Sequence, residues 1–186
     1  MSNNIETLCS AIDQLLTKEE RVIIAIDGKC TAGKTTLAGK LAQGYDCNVF
    51  HMDDFFLRPE QRTPQRLAEA GGNVDYERFR AEVLEPLKAG IPFTYRPFDC
   101  KTQALCPPVA VEPKPLTIVE GSYSLHPYFE NPYHLRILLT ISPELQRQRI
   151  LERPAFLHQR FFHLWIPMEN RYLDVFHIQD QCDLIF

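Results

Sequence analysis

The sequence predicts one three-layer α/β domain, a central parallel sheet of five strands flanked by helices, and three observations predict it. Short apolar runs rich in β-branched residues alternate with stretches of helical spacing, the pattern of strands buried on both faces beneath covering helices. A chain of 186 residues is long enough for one such domain and too short for two ordinary ones. Its 45% hydrophobic and 24% charged residues can form a core that needs no disulfides.

The elements follow in order. Ile5, Leu8, Ile12, Leu15 and Leu16 recur at helical spacing, so an amphipathic helix covers residues 5–18. Val22, Ile23, Ile24, Ala25 and Ile26 form the first strand, which ends at Asp27 and Gly28. A helix runs from Gly33 to about Gly44, and a weaker strand spans 47–52, leading into Asp53 and Asp54. Residues 57–74, with two prolines and Gly71-Gly72, read as loop or broken helix. Asp75 caps a helix to about Lys88 that turns Phe79, Val83, Leu84 and Leu87 inward, with Pro86 near its end and Gly90 closing it.

Residues 91–115 are proline-rich but keep recurring apolar and aromatic positions, which predicts an extended excursion or hairpin. Strands follow at 116–119, ending in Glu120, and at 135–141. Ser142 and Pro143 start a helix to about Leu151, and a second helical stretch covers 156–176 with an interruption at Pro167. A last short strand occupies 183–186, and no repeat or domain boundary divides residues 1–186. Phe161, Phe162 and Trp165 are expected in the core.

A net charge of −4 argues against a protein built to bind nucleic acid, while leaving room for a local phosphate pocket. The six cysteines have no CxxC spacing, which argues against a zinc site and fits a reducing cytoplasm. The histidines have no metal spacing and receive no role. The N-terminal residues lack the basic and apolar regions of a signal peptide, and no apolar run approaches a membrane span. The expectation is a cytoplasmic protein whose oligomeric state is open, a homo-oligomer included.

Gly28, Lys29, Cys30, Thr31, Ala32, Gly33, Lys34 and Thr35 satisfy the phosphate-binding pattern G-x-x-x-x-G-K-[ST], between a strand and a helix as that pattern requires. Glycines let successive N–H groups turn inward toward phosphate oxygens, and the helix N-terminus adds partial positive charge. Lys34 is placed to reach the β- and γ-phosphates of ATP and Thr35 to ligate Mg²⁺, with Thr36 completing the binding stretch. Cys30 reads as a variable position of this loop.

Strand ends of a parallel sheet converge on the ligand crevice, so Asp53 and Glu120 are candidates for a base and a metal ligand. Arg147, Arg149, Arg153 and Arg160, in and after the helix that follows the fourth strand, are candidates to close over the γ-phosphate as a short lid at about 147–160. Arg147 and Arg149 are two apart and cannot share a helix face. Tyr95, Arg96 and Phe98 are candidates to contact an acceptor, or else core anchors of the excursion.

These residues resemble the uridine kinase and phosphoribulokinase group of P-loop kinases, which includes nicotinamide riboside kinases. The likeness is carried by Ile24 through Thr36, His51 through Phe56, Asn73 through Tyr76, and Val119, Glu120 and Gly121, in the group's order. It implies Asp53 as base for the acceptor hydroxyl, Phe56 and Asp75 as substrate contacts, Glu120 near Mg²⁺, and a lid arginine, Arg153 ahead of Arg149. It implies ATP-dependent phosphorylation of a small acceptor, foremost a nucleoside 5′-OH. The stretch 95–99 lacks the histidine with which uridine kinases read the base. A sugar acid or vitamin precursor is therefore an alternative acceptor, and an ATPase switch with no small acceptor is a third reading.

Overall fold

The structure, a computed structural model, describes residues 2–186. Met1, where the leader-peptide reading begins, lies outside them. Helix α1 (Ser2–Leu16) buries Leu8 and Ile12 completely, and Ile5, Leu15 and Leu16 pack beside them. Strand β1 (Val22–Gly28) is buried along its whole length. Its side chains alternate: Val22, Ile24 and Ile26 face α1 and α2 (Lys34–Gly44), whereas Ile23 and Ala25 join a second cluster on the other face. A run apolar at every position has this cause, since both sides of the strand are covered.

Strand β2 (Cys47–His51) leads into a 3₁₀ turn, Met52–Phe55. Residues 57–74 hold a 3₁₀ turn (Pro59–Gln61) and the short helix α3 (Pro64–Leu67). Helices α4 (Tyr76–Phe79) and α5 (Glu85–Ala89) are joined without a break by a π turn, Arg80–Leu84. The expected inward residues Phe79, Val83, Leu84 and Leu87 are buried. Pro86 has no N–H to donate, and the wider turn just before it takes up that loss. Gly90 closes the helix at φ 65°.

The proline-rich excursion is a pair of nested hairpins. Strand β3 (Phe93–Tyr95) pairs with β6 (Val109–Val111), and between them β4 (Phe98–Asp99) pairs with β5 (Ala104–Leu105). Tyr95, Phe98 and Val111 are buried and anchor it.

Strand β7 (Leu116–Glu120) and strand β8 (Leu135–Leu139) flank β1, so β8 stops two residues short of the expected end. Helix α6 (Pro143–Leu151) follows, capped by Ser142. Helix α7 (His158–Arg160), a π turn (Phe161–Trp165) and α8 (Ile166–Val175) then run on as one helix, so Pro167 does not interrupt it. As at Pro86, the π turn precedes the proline. Strand β9 (Leu184–Ile185) completes a five-stranded sheet of order β2-β7-β1-β8-β9, parallel throughout. The register sets His51 and Ile26 on either side of Glu120, which brings the carboxyl ends of β2, β7 and β1 together. No described helix is long and apolar enough to cross a membrane.

Candidate active site

The loop between β1 and α2 takes its shape from three residues with positive φ: Gly28 (140°), Thr31 (62°) and Gly33 (101°). At Gly28 a β-carbon would stand 2.3 Å from the Leu139 carbonyl oxygen, so sheet packing and backbone angle both demand glycine. Gly28→Ala is expected to lower the unfolding free energy by about 2 kcal/mol or more. Urea denaturation measures it, and a loss below about 0.5 kcal/mol, the size of an ordinary surface change, would contradict it. Gly33 precedes α2 without any side-chain cap, and a β-carbon there would meet nothing within 4 Å. The uncapped amides of α2 therefore open onto free space, as an anion site requires.

Lys34 is buried and folds back over the loop. Its Nζ donates to the carbonyls of Gly28 (2.7 Å) and Lys29 (2.8 Å) and to Ser122 Oγ (3.2 Å). The next residue reaches the acid of β7: Thr35 Oγ1 donates to Glu120 Oε1 at 3.0 Å. His51 Nδ1 lies 2.5 Å from the same oxygen. That bond raises the His51 pKa, against the opposing effect of burial.

No group of three or more His, Cys, Asp or Glu suited to a metal occurs among the described residues. The Thr35 hydroxyl and Glu120 carboxylate instead offer a small oxygen donor set. That suits Mg²⁺, which keeps several waters and takes phosphate oxygens as further ligands.

Asp53 lies in the 3₁₀ turn that follows β2. Its side chain meets solvent yet lies below the rim of the cleft, where surrounding protein raises its pKa, Lys34 lowers it, and Glu120 raises it again. Asp54 is held by Tyr95, whose hydroxyl bonds its carboxylate.

A cleft of about 1670 Å³ joins Lys34, Thr35, Asp53 and Glu120. Residues 30–36 line it together with Asp53, Phe56 and Glu120, and the lid side adds Arg149, Arg153 and Arg160. Arg149 Nη1 also donates to the Thr31 carbonyl at 2.7 Å, whereas Arg147 turns away to stack on Phe162. Phe161 and Trp165 line the cleft as well, and neither they nor Phe162 belong to the buried clusters. Their expected place in the core is thus corrected: the helix that carries them roofs the cleft, so its apolar face meets a cavity.

Three of the expected substrate contacts lie outside this lining. Asp75 is buried, capping α4 through Arg78 N (3.1 Å) and accepting from Gln61 Nε2 (2.8 Å). Tyr95 packs edge-on against Phe50 and stacks on Phe55. Arg96 ties the excursion together by donating to the carbonyls of Cys106 (2.8 Å) and Leu105 (3.1 Å).

No family model matches the chain, and no curated protein matches it. Solved structures do. One described as a possible uridine kinase from Bacillus stearothermophilus superposes with a TM-score of 0.71 at 22% identity, over 97% of this chain and 99% of that one. The phosphoribulokinase from Rhodobacter spheroides gives 0.57 at 15% identity, over 90% of this chain and 70% of that one. The chain has the fold of the uridine kinase and phosphoribulokinase group of P-loop kinases.

In this P-loop kinase fold three further residues take part in the site, and two of them, Glu169 and His51, carry no signal in the sequence beyond their type. Asp27, at the end of β1, is fully enclosed and accepts from Gly28 N (2.6 Å), Tyr123 N (3.2 Å), Leu125 N (2.9 Å) and the Tyr172 hydroxyl (2.7 Å). Burial pushes its pKa up, while the bonds from Leu125, Tyr172 and Gly28 oppose that. Glu169 of α8 accepts from Cys30 N (2.9 Å) and from Ser122 Oγ (2.8 Å), so the roof helix grips the loop. His51 is the third. Asp27 alone left a trace, as a carboxylate closing an apolar strand. Cys30 is packed under this roof, and burial pushes its thiol up to about 12, which keeps it protonated.

Proposed function

We propose that the protein is an ATP-dependent phosphotransferase acting on a hydroxyl of a small acceptor. The observation that carries the reading is the sharing of one cleft by the Lys34 loop, the Thr35–Glu120 pair and Asp53. A phosphate-binding loop alone fits any nucleotide switch, whereas a carboxylate beside it at the end of β2 fits a base for a second substrate.

In this reading the loop amides and Lys34 hold the phosphates, and Thr35 and Glu120 serve Mg²⁺, which neutralises phosphate charge when bound. Asp53 takes the hydroxyl proton while a bond forms between the acceptor oxygen and the γ-phosphorus. The bond from that phosphorus to ADP breaks, and Arg149, Arg153 or Arg160 offsets charge on the equatorial oxygens. The six cysteines are unpaired, which suits a reducing compartment such as the cytoplasm.

The nucleoside 5′-OH is the acceptor that the sequence resemblance favours. A second reading, a different hydroxylated metabolite, draws support from the placement of Asp75, Tyr95 and Arg96 in structural bonds. Measuring ADP release with and without panels of nucleosides, sugars and sugar acids tests both, because acceptor-independent hydrolysis alone would mark a switch. Lys34→Ala is expected to weaken ATP binding by about a hundredfold, as for a lost charge-assisted contact. Calorimetry showing unaltered affinity would remove the phosphate site from this loop.

A further inference from the structure

Beyond Asp53 the cleft is walled by the chain after β2 and by the tip of the β4–β5 hairpin, through Phe56, Leu57, Arg62, Cys100 and Lys101. Two of these are cations, and neither is ion-paired among the described residues. We infer that the acceptor carries an anionic group, a carboxylate or a phosphate, bound by Arg62 and Lys101 while its hydroxyl meets Asp53. This rests on the phosphotransfer reading and names the substrate class for it.

Arg62 is held ready for such a group. Its Nε (3.0 Å) and Nη2 (2.8 Å) both donate to the Leu57 carbonyl, and its guanidinium lies 5.9 Å from the centroid of the buried Phe98 ring. Nη1 has no protein acceptor among the described residues. A guanidinium fixed in this way loses little freedom on meeting an anion, and it offers charge and directed N–H groups together.

Lys101 stands at the hairpin tip beside Asp99, whose carboxylate is occupied by Lys101 N (2.7 Å) and Thr102 Oγ1 (3.1 Å). Cys100 shares the cleft lining with Asp53, Arg62 and Lys101. Burial first and then the Asp53 carboxylate raise its thiol, Arg62 opposes them, and Asp99 and Asp54 add to the rise. A neutral acceptor would leave Arg62 with the Leu57 carbonyl and Lys101 with the nearby Asp99 carboxylate as their protein partners, and add none. An anionic one meets a site of matching charge, whose attraction also speeds its capture.

The test is ADP release from the full chain with three panels: neutral acceptors (uridine, ribose), hydroxy acids (glycerate, gluconate) and sugar phosphates (ribose 5-phosphate, glycerol 3-phosphate). The expected result is stimulation by an anionic panel, the second or the third telling carboxylate from phosphate. Arg62→Ala and Lys101→Ala should each raise the acceptor KM about tenfold or more, the size of a charged hydrogen bond, at unaltered KM for ATP. Lys101 is exposed and its ammonium forms no ion pair among the described residues, so its variant reads the site independently of folding. Stimulation by uridine or ribose, with an acceptor KM that neither substitution moves, would overturn the inference and leave the kinase reading standing. ATP turnover unmoved by every panel would remove the kinase reading, and the inference with it.

Discussion

Asp53→Asn is expected to lower acceptor-dependent turnover by at least about a hundredfold, the lower range for a lost general base. ATP affinity should be nearly unaltered, because in the proposed site Lys34 and backbone amides, rather than this carboxylate, hold the phosphates. Asparagine keeps the shape and polarity of the side chain and removes only its ability to take a proton. The surroundings are suited to a base: protein atoms below the cleft rim and the Glu120 carboxylate raise Asp53, and Lys34 pulls it back. Single-turnover kinetics with the acceptor identified by the panels, beside calorimetric ATP binding, measures the two quantities separately. Turnover within about threefold of the parent would take Asp53 out of the chemistry, since a working base contributes far more than that.

The second large effect falls on folding. Asp27→Ala should destabilise the protein by about 3–5 kcal/mol, because removing a buried acceptor of several hydrogen bonds strands every donor that used it. Those donors are the amides of Gly28, Tyr123 and Leu125 and the hydroxyl of Tyr172. They come from the end of β1, the chain after β7 and the roof helix α8, so one carboxylate pins three parts of the site. The Gly28 amide is among them, so ATP affinity should fall along with stability. Urea denaturation with a loss under about 1 kcal/mol, the size of one ordinary hydrogen bond, would show that these donors find other partners.

Most of the sheet was readable because local chemistry specifies it. Continuous β-branched runs mark β1 and β7, glycine and serine punctuate the helices, and G-x-x-x-x-G-K-T between strand and helix has few physical uses. Proline was the weaker guide. Pro167 reads as a break, yet the helix passes it, since a π turn supplies the slack that the missing hydrogen bond requires. Aromatics misled for a related reason: Phe161 and Trp165 look like core residues because hydrophobicity signals burial but does not say against what.

The sequence by itself determined the fold class, the phosphate loop with Lys34 and Thr35, and the two acids at strand ends, Asp53 and Glu120. Tertiary structure alone decided the company those residues keep. It set His51 on Glu120, Glu169 on the Cys30 amide, Asp27 under the loop, and Arg62 with Lys101 on the cleft wall beyond Asp53. It also took Asp75 into a helix cap, Tyr95 into the core and Arg96 into bonds that tie the excursion together. The physical reason is range. A loop or strand is dictated by neighbours a few residues away, whereas a buried polar side chain is placed by whichever distant donor or acceptor satisfies it, and no spacing in the chain records that choice.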